Sequence, residues 1–328
     1  MSKEQKPKNH HFVPRCYLKN FSIDGKVSVL DVRKVTKGIP HFVKSMSPKA
    51  ICTLEDYYTI QPDNLNGQFK LDSYNDLFVE SEVLGSLEDK YGKKLHQNLI
   101  SLQEISLADA VDLSDFIIQL KLRNPYWLEQ QGKKKDEMID SAMEAIYNDK
   151  FEPNPRYEHI PDEIKRLVAD YVAQDNKNSP NFSKMMQLFS LIQRASHVPN
   201  RDNILRRAIV DCEWKLFIAP KDGPKFITSD NPGFATASDN LNYNTKFKDG
   251  FVFFFPVSPD HCLVISDATF DNSFTDNETS KSIQWVNVDQ NMVIIINNKA
   301  IQMVNKLLIA SNDWYLSQIA DRNRPKLS

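Results

Sequence analysis

The sequence predicts an α+β protein in which one small mixed sheet, built from N- and C-terminal strands, surrounds a mainly helical middle. Three observations predict it. Strand-like segments gather within residues 26–60 and again within 214–265, apolar residues recur at helical spacing between about residues 74 and 210, and no linker divides the chain. The 328 residues are therefore expected to form a single α+β domain over 1–328, with a helical middle region at about 74–210.

The elements follow in order. NHHFVPRCYLKNF (9–21) reads as a loop or short helix, and KVSVLDV (26–32) alternates as a strand does. DYYTI (56–60) is a second short strand. From Ser73 the pattern turns helical, with Glu80, Leu84, Leu87 and Tyr91 on one face. Ser106 is placed as an N-cap, with Asp109 three residues on. Leu113, Phe116, Ile117 and Leu120 continue that helix until Pro125, which disfavours helical geometry at Asn124. Further helices are expected at 134–147, 161–174 and 183–196, between the turn-rich stretches FEPNPRYEHIP and DNKNSPN. Strands return at 214–218, 226–228, 251–257 and 262–265. A last amphipathic helix is read from Val293, Ile296, Ala300, Val304, Leu307 and Leu308.

Composition excludes more than it names. With 41% hydrophobic and 26% charged residues the chain is neither disordered nor fibrous. No apolar run approaches a bilayer-spanning length and the opening MSKEQKPKNHH has no apolar stretch, so the expectation is a cytoplasmic protein with no membrane partner. Cys16, Cys52, Cys212 and Cys262 are widely spaced, without a CxxC pair, and suggest neither a disulfide framework nor a zinc cage. The nine glycines come no closer together than Gly85 and Gly92. A Walker A loop, a dinucleotide fingerprint and a GxSxG elbow all need closer glycines, because only glycine lets backbone amides approach a phosphate or turn so sharply. Conventional P-loop NTPase, Rossmann, protein-kinase and α/β-hydrolase readings fall together.

The net charge of −2 hides an asymmetry. Residues 1–50 carry eleven Lys and Arg against Glu4, Asp24 and Asp31, a balance of +8 that leaves −10 on the rest. Such a segment is either a solvated basic face or a docking surface for nucleic acid or a nucleotide, driven by counterion release.

Three blocks carry the chemistry: His10, Pro14, Tyr17, Leu18 and Phe21; then Arg123 and Pro125; then Thr228, Ser229, Asp230 and Pro232, followed by Pro256, Ser258 and Pro259. In order and spacing the chain resembles a mainly bacterial family, the domain of unknown function 4238, over nearly its whole length. The resemblance implies membership and a bacterial source, and it brings no activity. Asn124 departs from the threonine or small residue that the family pattern leads one to expect. HHFVP also resembles the opening of HNH-type nucleases, but the next histidine, His41, lies in a segment without helical pattern.

The residues themselves suggest a polar site. His10 and His11 are adjacent, so an extended backbone points them apart and one of the two faces the site as a general base or metal ligand, unless both simply anchor the segment. Gln119 and Arg123 share a helix face. Arg123 suits bidentate contact with phosphate or carboxylate, against a structural ion pair with Asp230 or Glu80. Asp230, at a strand end with Ser229 and Asn231, orients a histidine or binds metal, or else serves an Asx turn. Glu80 on an apolar stripe must be paired, protonated or functional, and Glu55 is a weaker candidate. Two classes of function stand: a metal-assisted hydrolase of phosphodiester or nucleotide substrates, with catalytic His10, His11, Arg123 and Asp230, binding residues Gln119, Ser229, Asn231 and Glu80, and a divalent metal held by His10, His11 or Asp230; or a binding or sensing module in which the same residues are a structural network and the basic segment docks a partner.

Overall fold

The computed structural model describes residues 9–37, 43–55, 57–58, 80, 84–147, 170, 173–178, 187, 191, 209–239, 241–245, 250–266 and 279–322. Its elements in chain order are β1 (Asn9–His11), α1 (Arg15–Lys19), β2 (Val27–Asp31), α2 (Val32–Thr36), β3 (Lys44–Met46), a 3-10 turn (Pro48–Ala50), β4 (Thr53–Glu55), α3 (Ser86–Lys90), a π-helical turn (Tyr91–Leu95), α4 (His96–Ser101), β5 (Glu104–Ser106), α5 (Leu107–Leu122) and α6 (Pro125–Tyr147). The second half supplies β6 (Glu213–Ile218), β7 (Thr228–Ser229), β8 (Phe234–Thr236), β9 (Asn242–Tyr243), β10 (Val252–Pro256), β11 (His261–Ser266), β12 (Ser280–Ser282), β13 (Gln284–Asn287), α7 (Gln290–Gln302), β14 (Leu307–Ala310) and α8 (Trp314–Arg322). The class is α+β.

The strands fall into several small sheets rather than one. The largest runs β13-β6-β11-β10-β8-β9; β13 lies parallel to β6 and the other pairs are antiparallel, so this mixed sheet comes wholly from residues 213–287. Strands from the two ends of the chain meet in the sheet β3-β2-β14-β7, which is antiparallel throughout and sets Leu30 opposite Leu308 and Thr228 opposite Ile309. Two ribbons complete the described strands, β1 with β4 and β5 with β12.

Alternation along β10 and β11 divides the core. Phe253, Phe255, Leu263 and Ile265 face a cluster containing Phe12, Leu113, Phe116 and Ile117, whereas Cys262 and Val264 face Phe226, Val293 and Ile296, so the sheet is covered by α5 on one side and α7 on the other. The four-stranded sheet buries Leu30 and Leu308 against Leu316 and Ala320 of α8. Burying each of these large apolar side chains contributes about 1.5–3 kcal/mol before the entropy of ordering is set against it.

Local chemistry fixes the boundaries around the site. Ser106 Oγ accepts the Asp109 N–H at 3.1 Å, the expected N-cap of α5. At the other end Pro125 has no N–H to continue α5, yet its fixed φ suits the first position of α6, so one residue both stops a helix and starts the next. Gly233 has φ +76°, and a Cβ there would lie 2.8 Å from Phe253 Cζ, which reserves the position for glycine.

Several boundaries differ from the sequence reading. The strand expected at 56–60 is instead Thr53–Glu55, while Tyr57 and Tyr58 form a turn and the rest of that segment lies outside the described residues. The strand expected at 226–228 is Thr228–Ser229. The last helix ends at Gln302, and Leu307–Ala310 is a central strand, because a short run of consecutive apolar residues buried on both faces is satisfied better between β2 and β7 than on a one-sided helix. Most of 161–174 and 183–196 lies outside the described residues. No helix among the described residues is long and apolar enough to cross a membrane.

Candidate functional site

The amino-terminal block enters the core through β1 and α1. Pairing with β4 turns His10 inward, to 2% exposure, and leaves His11 half-buried. Tyr17 then anchors α1: its hydroxyl donates to the Pro256 carbonyl at 2.6 Å and, its one proton spent, accepts from Thr228 Oγ1 at 2.7 Å. The first sequence block and both parts of the third therefore meet at one phenol.

His10 Nδ1 accepts the backbone N–H of Tyr58 at 2.9 Å, and its ring stacks on that of Tyr58. With Nδ1 so occupied, the network assigns the ring proton to Nε2, which faces Glu80 Oε2 at 3.5 Å, an electrostatic contact too long for a good hydrogen bond. His11 is held differently. Its ring donates to the Lys49 carbonyl, while Nε2 is shut from solvent and has no hydrogen-bond partner. Burial lowers the His11 pKa, Arg15 and Arg123 lower it further, and Glu88 and the Lys49 carbonyl only partly oppose them. The net effect favours the uncharged imidazole.

Arg123 caps the C-terminus of α5, its N–H donating to the Gln119 carbonyl at 3.0 Å. Arg123 is 2% exposed. Nε donates to Tyr58 Oη at 2.9 Å, Nη1 to Glu88 Oε1 at 2.6 Å and Nη2 to the His11 carbonyl, and the group lies 5.7 Å from the centre of the Tyr58 ring. Burial works against its charge, but Tyr58 and Glu88 outweigh that and hold the pKa above the ordinary arginine value. Burial pushes the Tyr58 phenol up to about 12 against the pull of Arg123. Burial also raises the Glu80 carboxyl, with His10 and Arg123 opposing and Glu88 adding to the rise. Glu80 Oε2, like His11 Nε2, is buried without a hydrogen bond.

Asp230 belongs to a neighbouring joint. Its carboxylate accepts the Asn305 N–H at 3.1 Å, with the Lys306 and Leu307 amides also supporting it, yet burial outweighs all three and pushes its pKa up to about 6. Its own carbonyl accepts Asn124 Nδ2 at 2.8 Å. The motif around Arg123 and the motif around Asp230 thus touch through Asn124, and the partner of the guanidinium is Glu88 rather than Asp230 or Glu80. Beside them Lys121 is 3% exposed, and its Nζ donates to Asn231 Oδ1 at 3.0 Å, to Asn244 Oδ1 at 3.1 Å and to the Gly233 carbonyl, which together use the three donors of an ammonium. Desolvation nonetheless drives its pKa well down. Ser229 Oγ accepts the Asn231 N–H at 3.0 Å, the turn that the sequence suggests.

The structure therefore brings His10, His11, Glu80 and Arg123 into one network. Asp230, Ser229 and Asn231 stand behind it in the Asn124 joint, Gln119 is buried in α5, and Glu55 is exposed on β4. Sequence reasoning missed Tyr58, Glu88, Lys121 and Asn124. Lys121 did leave a signal, since it falls on the buried stripe of Ala110, Ser114 and Ile117. Among the described residues no three His, Cys, Asp or Glu side chains gather closely enough to hold a metal ion, so His10, His11 and Asp230 are not a ligand set. His10 Nδ1 is already committed to Tyr58, and the Asp230 carboxylate to residues 305–307.

A family model described as a protein of unknown function, DUF4238, matches residues 9–320. No curated protein and no solved structure matches the chain.

Proposed function

The chain belongs to the DUF4238 family, and we propose that it hydrolyses phosphoester bonds of nucleotide-type substrates, with His11 as general base and Glu80 as general acid. The observation that carries this reading is the bare, buried Nε2 of His11, on a ring whose other nitrogen is fixed by Lys49 and which lies in the field of Arg15 and Arg123. An uncharged imidazole oriented by a backbone carbonyl is the form that takes a proton from water. As the water oxygen bonds to phosphorus, Nε2 receives its proton. As the ester bond breaks, protonated Glu80 gives its proton to the leaving oxygen. Burial lowers the pKa of the histidine and raises that of the carboxyl, which favours the uncharged base and the protonated acid that such a pair requires. Exposed Arg15 supplies charge for the phosphate, and Arg123 acts as a positioning residue through the His11 carbonyl. None of the four cysteines is in a disulfide, which supports a cytoplasmic setting.

A second reading, a binding module docked on nucleic acid, is favoured by one observation: the Arg15, Lys19, Lys26, Arg33, Lys34, Lys37, Lys44 and Lys49 side chains of the basic segment are all exposed. One experiment separates the two. The purified chain is assayed for phosphate release from nucleotides and aryl phosphodiesters, alongside His11→Gln, while retention of labelled nucleic acid is followed across a salt series. Hydrolysis that falls by about 10²–10⁴-fold in a folded His11→Gln variant is the expected result. Hydrolysis indifferent to His11 overturns the assignment. No hydrolysis, with retention that weakens steeply in salt, selects the binding module.

A further inference from the structure

α7 covers one side of the large sheet with Val293 and Ile296, and its Ile301 packs with α8, but the far side of the helix is bare. Its outermost line is Asn291, Ile295, Asn298 and Gln302, at i, i+4, i+7 and i+11, with Ile294 on one flank and Met292 on the other. Two contacts carry this face beyond the helix. Asn242 Nδ2 donates to Gln302 Oε1, which brings Leu241 of the β8–β9 hairpin to the C-terminal end of α7. Tyr315 Oη donates to Asn298 Oδ1 at 3.4 Å, which brings the neighbouring Trp314 alongside the middle of the helix. Leu241, Met292, Ile294, Ile295 and Trp314, each 36–59% exposed, are five of the eight exposed large apolar side chains among the described residues. Scattered singly they would need no explanation, but gathered on one face they mark a contact surface.

Charge identifies what the surface meets. Charged residues make up 26% of the chain, whereas α7 holds one, Lys299, in thirteen. A face that packs on its own copy across a two-fold axis sets like against like at its centre, so that centre must be uncharged. A bilayer surface would instead select a helix rich in Lys and Arg. The flanking charges agree with a two-fold axis. Asp289, the exposed N-cap of α7, stands five residues before Ile294, and Lys299 stands five residues after it. Two copies of α7 packed antiparallel about Ile294 therefore set Lys299 opposite Asp289 of the partner subunit, and the reverse, giving two ion pairs at the rim while the helix dipoles oppose each other. We infer that α7 is the centre of a two-fold homodimer, in which Ile294 and Ile295 pack on a second copy of the same face, Leu241 and Trp314 widen the apolar contact, and Asp289 and Lys299 fix its antiparallel register.

The test is sedimentation of the full chain over a concentration series. Twice the chain mass is expected, with dissociation on dilution. Ile295→Asp raises the dissociation constant by about 30-fold or more, whereas Leu102→Asp, at a similarly exposed apolar residue after α4, leaves it unchanged. Should Ile295→Asp fail to fold, Lys299→Glu carries the comparison: it sets two carboxylates together at each end of the contact and weakens the dimer by about 3–10-fold, less so at high salt. A wild-type chain that stays monomeric up to hundreds of micromolar overturns the inference. So does a dimer that a folded Ile295→Asp variant, or Lys299→Glu, leaves at full strength.

Discussion

Asp230 is ionised at neutral pH in a place that resists the charge, and the cost can be worked from its surroundings. Its carboxyl is buried and titrates near 6 instead of the ordinary 3.8. A difference of about 2 units corresponds to about 3 kcal/mol by which the folded state prefers the protonated form. The sign follows from proton binding: between pH 3.8 and 6 the folded chain holds the proton more tightly than the unfolded chain, so this group's contribution to stability improves as the pH falls through 6 and levels off below 3.8. Asp230→Asn removes the titration while keeping an oxygen for the Asn305 amide. Other groups titrate equally in both proteins, so the quantity to measure is the difference in unfolding free energy between wild type and variant, from urea melts at several pH values. From about pH 7.5 to about pH 4.5 that difference should move in favour of wild type by about 2 kcal/mol, the share of the full effect reached at the lower pH. A difference that stays constant over this range, or moves against the wild type, refutes the reasoning. A large loss in Asp230→Asn recovered by Arg123→Ala would restore the ion pair that the structure replaces with Glu88.

The other two stability predictions concern the same region. Arg123→Ala strands Glu88 and the buried Tyr58 hydroxyl and should cost about 3 kcal/mol in urea unfolding, the lower end of the range because Glu88 is 27% exposed; Arg123→Lys should recover less than half, since one ammonium cannot reach Glu88, Tyr58 and the His11 carbonyl together. A lysine variant as stable as wild type would show that charge alone matters there. Tyr17→Phe leaves the Pro256 carbonyl and the Thr228 hydroxyl without their shared partner in the core, and its thermal unfolding should report a loss of about 1–3 kcal/mol.

What was legible in the sequence was what local chemistry decides. Ser106 and Pro125 mark the start and end of α5 because a cap and a missing N–H act within a single turn. The strands at 27–31, 213–218, 252–256 and 261–266 were legible from alternation or from short apolar runs. The strand at 307–310 was misread because Val304, Leu307 and Leu308 continue the spacing of α7 by coincidence, and only the fold shows that Ile309 is buried on one face and Leu308 and Ala310 on the other. Partners at long range were the least legible. Glu88 looks like any acid on an exposed helical turn, and Tyr58 like an aromatic in a loop, until folding sets both against Arg123. Asn124 stood out in the sequence only as a departure from a pattern, and its role is a backbone joint to Asp230, 106 residues away.

The sheet that pairs β2 with β14 has a consequence in time. Leu30 leaves the ribosome 278 residues before its partner Leu308. At about 5–20 residues per second of synthesis, β2 waits about 14–56 s for the strand beside it. During that interval its hydrogen-bonding edge and apolar face are open to other nascent chains. Three exposed charges, Lys26, Arg33 and Lys34, flank the strand and repel a second copy of the same segment, so part of the basic character of the amino-terminal region guards an unfinished chain whatever it does in the finished one.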